Sequence, residues 1–118
     1  MSERYTKLFS LPPDLYAEGS PLVISAGNLL TDNRTGRVLV QLKIRNLSPQ
    51  RVKAATVTVH PLDTAGRPMD GEKTYEYLDL SVRRGEEFGQ KVPIPLPIPS
   101  ARGFTAEVAE VVFEGNCT

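Results

Sequence analysis

Proline stands at every second position of Val92-Pro93-Ile94-Pro95-Leu96-Pro97-Ile98-Pro99, and no other stretch of this chain restricts its own conformation so tightly. Proline fixes φ and has no N–H to donate, so a helix through this segment is excluded. In an extended strand the N–H groups of alternate residues point toward the same edge. Four prolines in one phase therefore strip the donors from one edge and leave the other able to pair. Such a segment belongs at the border of a sheet, with its bare side turned outward, where it also discourages pairing with other chains. A polyproline helix offered to an SH3-like groove is the competing conformation. It would expose Val92, Ile94, Leu96 and Ile98, which read as core, so the edge strand is preferred.

The rest of the chain also reads as strands. Val38, Val40, Leu42 and Ile44 alternate with Leu39, Gln41, Lys43 and Arg45, the period-two spacing of a strand with one buried face. This run ends in Asn46-Leu47-Ser48-Pro49-Gln50, a cluster of turn formers. Upstream, Leu22-Val23-Ile24 and Leu29-Leu30 precede Asp32-Asn33-Arg34-Thr35-Gly36, whose Asx and Gly residues suit a hairpin turn. Residues 22–31 are thus expected to pair with 37–46. Within 51–61 the apolar parity changes, from Val52 and Ala54 to Ala55, Val57 and Val59. One extra residue re-aims every later side chain, so a bulge is expected near 53–55. Residues 104–113 switch phase too, from Phe104, Ala106 and Val108 to Val111 and Phe113. Residues 74–82 place Leu78, Leu80 and Val82 in phase, with Tyr75 and Tyr77 on the opposite parity, and 83–87 reads as a charged turn. A strand at 5–11 brings the total to about seven. Helix signals are confined to one turn at 14–19, after Pro12-Pro13. The expected fold is an all-β, antiparallel, immunoglobulin-like β-sandwich, one domain over 1–118, without the disulfide or core Trp of its best-known forms.

Composition narrows the chemistry. At 13.0 kDa the folded surface should be about 6,300 Å² against about 19,000 Å² unfolded, so one real core can form unaided. One Cys and one His cannot supply a disulfide framework or a structural zinc site within the chain. Fourteen basic residues balance fourteen acidic ones, which argues against a nucleic-acid module. The start, Met1-Ser2-Glu3-Arg4-Tyr5-Thr6-Lys7, opens no apolar run of signal-peptide length, and no stretch approaches the ~18 apolar residues that span a bilayer. No membrane insertion by this segment is expected, and a cytoplasmic location is.

Each candidate site competes with a plainer role. Gly66-Arg67-Pro68-Met69-Asp70-Gly71-Glu72-Lys73-Thr74 approaches a phosphate loop, but Glu72 intervenes between the second Gly and the Lys and would repel phosphate. A hairpin turn is the better reading. Asp63 and Asp70 lack the alternate oxygens of a calcium loop, and Asp63 is expected to cap a turn. His60 and Cys117 form the one conceivable nucleophile–base pair, but the Cys is the penultimate residue of this sequence. His60 reads as a surface residue. Glu72, Glu76, Asp79, Glu86 and Glu87 could supply a glycosidase pair, yet acids in turns and on the wet face of a strand are the ordinary case. Tyr75 and Tyr77, with Arg83 and Arg84, could form a stacking platform for a sugar or single-stranded nucleic acid, against the commoner role of cross-strand packing. No enzyme and no cofactor are expected.

Several short motifs occur in order: Tyr5-Thr6-Lys7-Leu8-Phe9, Leu15-Tyr16-Ala17-Glu18-Gly19-Ser20-Pro21, Tyr77-Leu78-Asp79-Leu80, Glu86-Glu87-Phe88-Gly89-Gln90-Lys91, Val92-Pro93-Ile94-Pro95-Leu96 and Glu110-Val111-Val112-Phe113. Together they resemble an uncharacterised bacterial domain found at the N-terminus of longer proteins, commonly followed by a zinc ribbon. The resemblance covers nearly all 118 residues and implies neither an activity nor catalytic residues. It also implies that Cys117 lies at the start of a further region, although the chain has no CxxC pair of its own and no metal site is assigned. The expected function is a non-catalytic interaction or scaffold module of a larger bacterial protein, with an unidentified protein partner. The alternative is a sugar- or peptide-binding domain that uses Tyr75, Tyr77, Arg83 and Arg84.

Overall fold

The computed structural model describes residues 4–11 and 19–114. Residues 14–18 of the expected helical turn, and Cys117, lie outside them. Every regular element among the described residues is a strand. In chain order these are β1 (Tyr5–Ser10), β2 (Leu22–Asp32), β3 (Val38–Asn46), β4 (Val52–Leu62), β5 (Lys73–Tyr77), β6 (Glu87–Phe88), β7 (Ile94–Pro95) and β8 (Gly103–Phe113). All pairings are antiparallel. One sheet has the order β1-β2-β3, with β6 and β7 sharing the far edge of β3, and the other has the order β5-β4-β8. This is an all-β arrangement of two sheets, compatible with a β-sandwich.

The strand alternation sets the inner faces. Leu22, Ile24, Leu29, Val38, Val40, Leu42 and Ile44 of the first sheet share one buried cluster with Val52, Ala55, Val57, Val59, Tyr77 and Phe104 of the second. Phe9 and Phe104 meet edge to face at 5.6 Å. Each such aliphatic side chain taken from water contributes about 1.5–3 kcal/mol, which offsets the entropy lost in ordering the strands. The molecule measures 47 × 33 × 22 Å. That thinness explains an exposed surface of 7316 Å², above the ~6,300 Å² of size scaling.

The hairpin of β2 and β3 forms as its sequence predicts. Asp32 holds the turn between them: its Oδ1 accepts the Arg34 N–H at 2.9 Å and its carbonyl accepts the Gly36 N–H at 2.7 Å. Gly36 sits at φ +75°, a conformation that suits a residue without Cβ. Bulges then punctuate the sheets. An extra residue interrupts the pairing at Leu8 of β1, Ser25 of β2, Lys53 of β4 and Ala109 of β8. The last two coincide with the parity changes read from the sequence.

Two segments depart from expectation. The strand read over 74–82 is β5, which stops at Tyr77: Asp79 adopts φ +56°, and Leu78 is 62% exposed. The parity of β5 puts Tyr75 and Tyr77, not Leu78, on the core face, and after the break at Asp79 Val82 rejoins the sheet through a bridge to Val52. The second departure is at 83–95. Glu87, read as the end of a charged turn, forms β6 with Phe88, which accounts for eight strands where about seven were expected. Of the four apolar residues assigned to the core of the proline segment, Ile94 and Leu96 are buried, Ile98 is half-buried and Val92 is 42% exposed. The edge placement itself holds, since β7 pairs with β3. Val92 escapes burial because between Phe88 and Ile94 the edge carries two more residues than the facing stretch of β3, and the surplus loops outward.

Candidate functional site

The four residues singled out for ligand stacking do not form a platform. Tyr77 is 4% exposed, and its ring packs edge to face against Tyr75 at 4.9 Å and Phe88 at 5.4 Å. Burial pushes its phenol well above the usual tyrosine range, and Tyr75 adds to the effect. Its hydroxyl has no hydrogen-bond partner among the described residues. Tyr75 is half-buried against the same core. Arg83 and Arg84 stand exposed in the turn before β6, where the Arg83 N–H donates to Glu86 Oε1 at 2.7 Å. Tyr77, needed as a ligand face, is part of the packing between the sheets.

Gly89 lies over the Tyr77 hydroxyl. It adopts φ +97°, and a Cβ there would stand 3.0 Å from the Leu42 carbonyl oxygen and 3.4 Å from Tyr77 Oη. A glycine at this point lets the surplus residues of the edge leave β3 without a clash.

Several charged side chains are engaged with one another. Glu87 accepts the Ser25 hydroxyl at 3.0 Å and pairs with Lys43 at 3.4 Å and Arg45 at 3.1 Å. Desolvation opposes its ionisation, but the Ser25 hydrogen bond and the two cations outweigh that, holding the carboxyl below its ordinary range. The bulge at Ser25 aims its hydroxyl at both Glu87 and the Lys43 carbonyl. Asp32 is likewise held low, first by the Arg34 N–H, against the cost of desolvation, with Arg4 at 3.3 Å assisting. His60, expected as an ordinary surface residue, stands between two acids, with Nδ1 3.1 Å from Glu72 and Nε2 3.1 Å from Glu107. Among the described residues no group of three or more His, Cys, Asp or Glu is arranged to hold a metal ion.

The near-phosphate loop is a turn. Asp63 Oδ1 accepts the N–H groups of Ala65 at 2.8 Å and Arg67 at 2.9 Å, the cap its sequence suggests.

Two concavities formed by described residues bear on binding. One, of about 290 Å³, lies over β2 and β3 and is lined by Ala26, Asn28, Gln41, Leu42, Lys43 and Gln90. Its one cation, Lys43, is already paired with Glu87. The other, of about 410 Å³, runs between the β2–β3 turn and the proline edge: Thr35, Gly36, Arg37 and Val38 form one wall, Pro95, Leu96, Pro97 and Pro99 the other. The Leu96 N–H donates to the Val38 carbonyl at 2.9 Å, and Ile94 stands opposite Val40. The backbones of Ile94 and Leu96 thus face β3, while Pro95 between them faces outward. Pro93, Pro95, Pro97 and Pro99 are all exposed. Arg37 is exposed as well, and among the described residues its guanidinium makes no ion pair.

Sequence reasoning passed over Ser25 and read Asn46 and Glu87 as turn residues. Asn46 is a fully buried polar residue in a stretch read as an ordinary turn, and its carboxamide bonds to two backbone carbonyls and one backbone N–H. The available signal was position: Asn46 continues the buried phase of Val38, Val40, Leu42 and Ile44. No family model matches this sequence, and no curated protein or solved structure is significantly similar to it.

Proposed function

We propose that this domain is a non-catalytic interaction or scaffold module of a larger bacterial protein. The observation that carries the reading is how its chemistry-bearing side chains are spent. Glu87 is engaged by Lys43, Arg45 and Ser25, His60 is flanked by Glu72 and Glu107, and Tyr77 is sealed in the core. A nucleophile or general base works through a group left within reach of a substrate. What the surface offers instead is a shaped proline edge beside an exposed arginine that makes no ion pair among the described residues, which suits contact with a partner more than turnover. The alternative of a sugar or peptide bound on a tyrosine face loses its support with the burial of Tyr77.

The test is a comparison of partners captured by the natural protein and by the same protein lacking residues 1–118. Loss of one or more specific partners is expected. If every partner is retained, the domain is not an interaction module.

A further inference from the structure

We infer that the groove between the β2–β3 turn and the proline edge is a docking site for an aromatic side chain of another protein, tryptophan or tyrosine, with a carboxylate beside it. This inference rests on the interaction-module reading and assigns it a surface.

The first support is the one-sided hydrogen-bonding character of the edge. Ile94 and Leu96 spend their backbone groups on β3, and the outward positions are prolines, which carry carbonyls but no N–H. A partner strand must both donate and accept along an edge, so strand addition is disfavoured here. A side chain that combines an apolar face with a single donor is not so restricted. An indole N–H or a phenol O–H can donate to an outward carbonyl while its ring lies against proline rings.

The second support is the opposite wall. Arg37 stands exposed across from Pro95, Pro97 and Pro99, with no ion pair among the described residues. A guanidinium over a ring face adds cation–π attraction, and it also matches a carboxylate near the ring. The groove's volume of about 410 Å³ admits an indole. The exposed ridge continues from the groove to Val92, beyond what one ring covers, which favours a side chain carried on a protein surface over a free small molecule.

The experiment is a ¹⁵N-resolved NMR titration of the 118-residue chain with three capped tripeptides: Glu-Trp-Glu, Glu-Leu-Glu and Lys-Trp-Lys. Saturable shifts at residues 35–38 and 94–99 are expected with Glu-Trp-Glu, at a Kd of about 1 mM or tighter. Replacing Trp by Leu, or Glu by Lys, should weaken binding about threefold or more, and so should Arg37→Glu, whose exposed side chain leaves the core untouched. Absence of saturable shifts at these residues, or equal response to the Trp and Leu probes, overturns the inference. A separate arm distinguishes it from the reading beneath it. If removal of residues 1–118 costs the natural protein a partner but Arg37→Glu combined with Pro97→Ser does not, only this groove is excluded. If the removal costs no partner, the module reading itself fails.

Discussion

The side-chain amide of Asn46 donates to the Val82 carbonyl at 2.9 Å, so the end of β3 in one sheet is tied to the segment that bridges to Val52 in the other. The same amide nitrogen reaches the Gln50 carbonyl at 2.9 Å, and Oδ1 accepts the Ser48 N–H at 2.9 Å. One carboxamide thus satisfies three backbone groups at the point where the chain passes between sheets.

Asn46→Ala should therefore cost about 3 kcal/mol of unfolding free energy, because it strands buried backbone groups as well as removing bonds. Asn46→Asp should also destabilise, since a carboxylate cannot donate to the two carbonyls. Urea denaturation of both variants checks this. A loss below about 0.5 kcal/mol for Asn46→Ala would show that the carboxamide is not what ties the sheets.

Tyr77→Phe is expected to leave stability unchanged or raise it by about 1 kcal/mol, since the buried hydroxyl removed has no partner among the described residues. The raised phenol pKa makes a linked prediction. The native state keeps Tyr77 neutral where the unfolded chain ionises near pH 10.0, so wild-type stability should fall as pH rises above that value. Tyr77→Phe should remove this part of the alkaline loss, read as the difference between the two unfolding free energies from pH 8 to 11.

On the acid side the sign reverses. Asp32 and Glu87 are held below their ordinary values of 3.8 and 4.5, so the native state favours their ionised forms. The stability they contribute is present above those values and is lost as pH falls through the lower native ones. Glu87→Gln should lower stability at pH 7 and flatten the acid limb of the curve. An unchanged acid limb would mean that Ser25, Lys43 and Arg45 do not favour the Glu87 carboxylate in the folded protein.

Pro95→Ala returns an N–H to the outward edge of β7 without touching the core, because the Pro95 side chain is exposed. Self-association should strengthen, with a dimer appearing at a Kd of about 1 mM or tighter by sedimentation equilibrium, whereas a Pro95→Ala protein that stays as monomeric as the parent would deny the edge its protective role.

The sequence made the strand faces legible wherever one parity was apolar. Val38 to Ile44 fixed β3, the phase change near Lys53 located one bulge, and the phase change between Val108 and Val111 coincides with a second. The proline repeat placed an edge strand because proline removes a specific bond. What escaped was non-local. Val82 rejoins the sheet in the opposite phase to Tyr77 because Asp79 takes a left-handed conformation, and nothing in Leu78-Asp79-Leu80 marks that break. Glu87 leaves its turn to pair with Arg45 of β3, more than forty residues earlier, and its cations come from β3 while its hydroxyl donor comes from β2. The groove was half legible: the proline wall was evident, but Arg37 belongs to a turn that only the pairing of β3 with β7 brings alongside.

The bulges at Lys53 and Ala109 sit on opposite strands of one pairing, and each shifts the register by one in the opposite sense. Val52 stands opposite Phe113 and Leu62 opposite Gly103, so both ends of the ladder are in step despite the interruption between them. In the language of genetics the pair behaves as a frameshift and its suppressor. Deleting either residue alone would throw one end of the β4–β8 ladder out of step, and would turn apolar side chains outward on the shortened strand. Deleting both would leave Val52, Ala55, Val57 and Val59 in a single phase, with Phe104, Ala106, Val108, Val111 and Phe113 in another. The two insertions are therefore one heritable unit, tolerable together and costly apart.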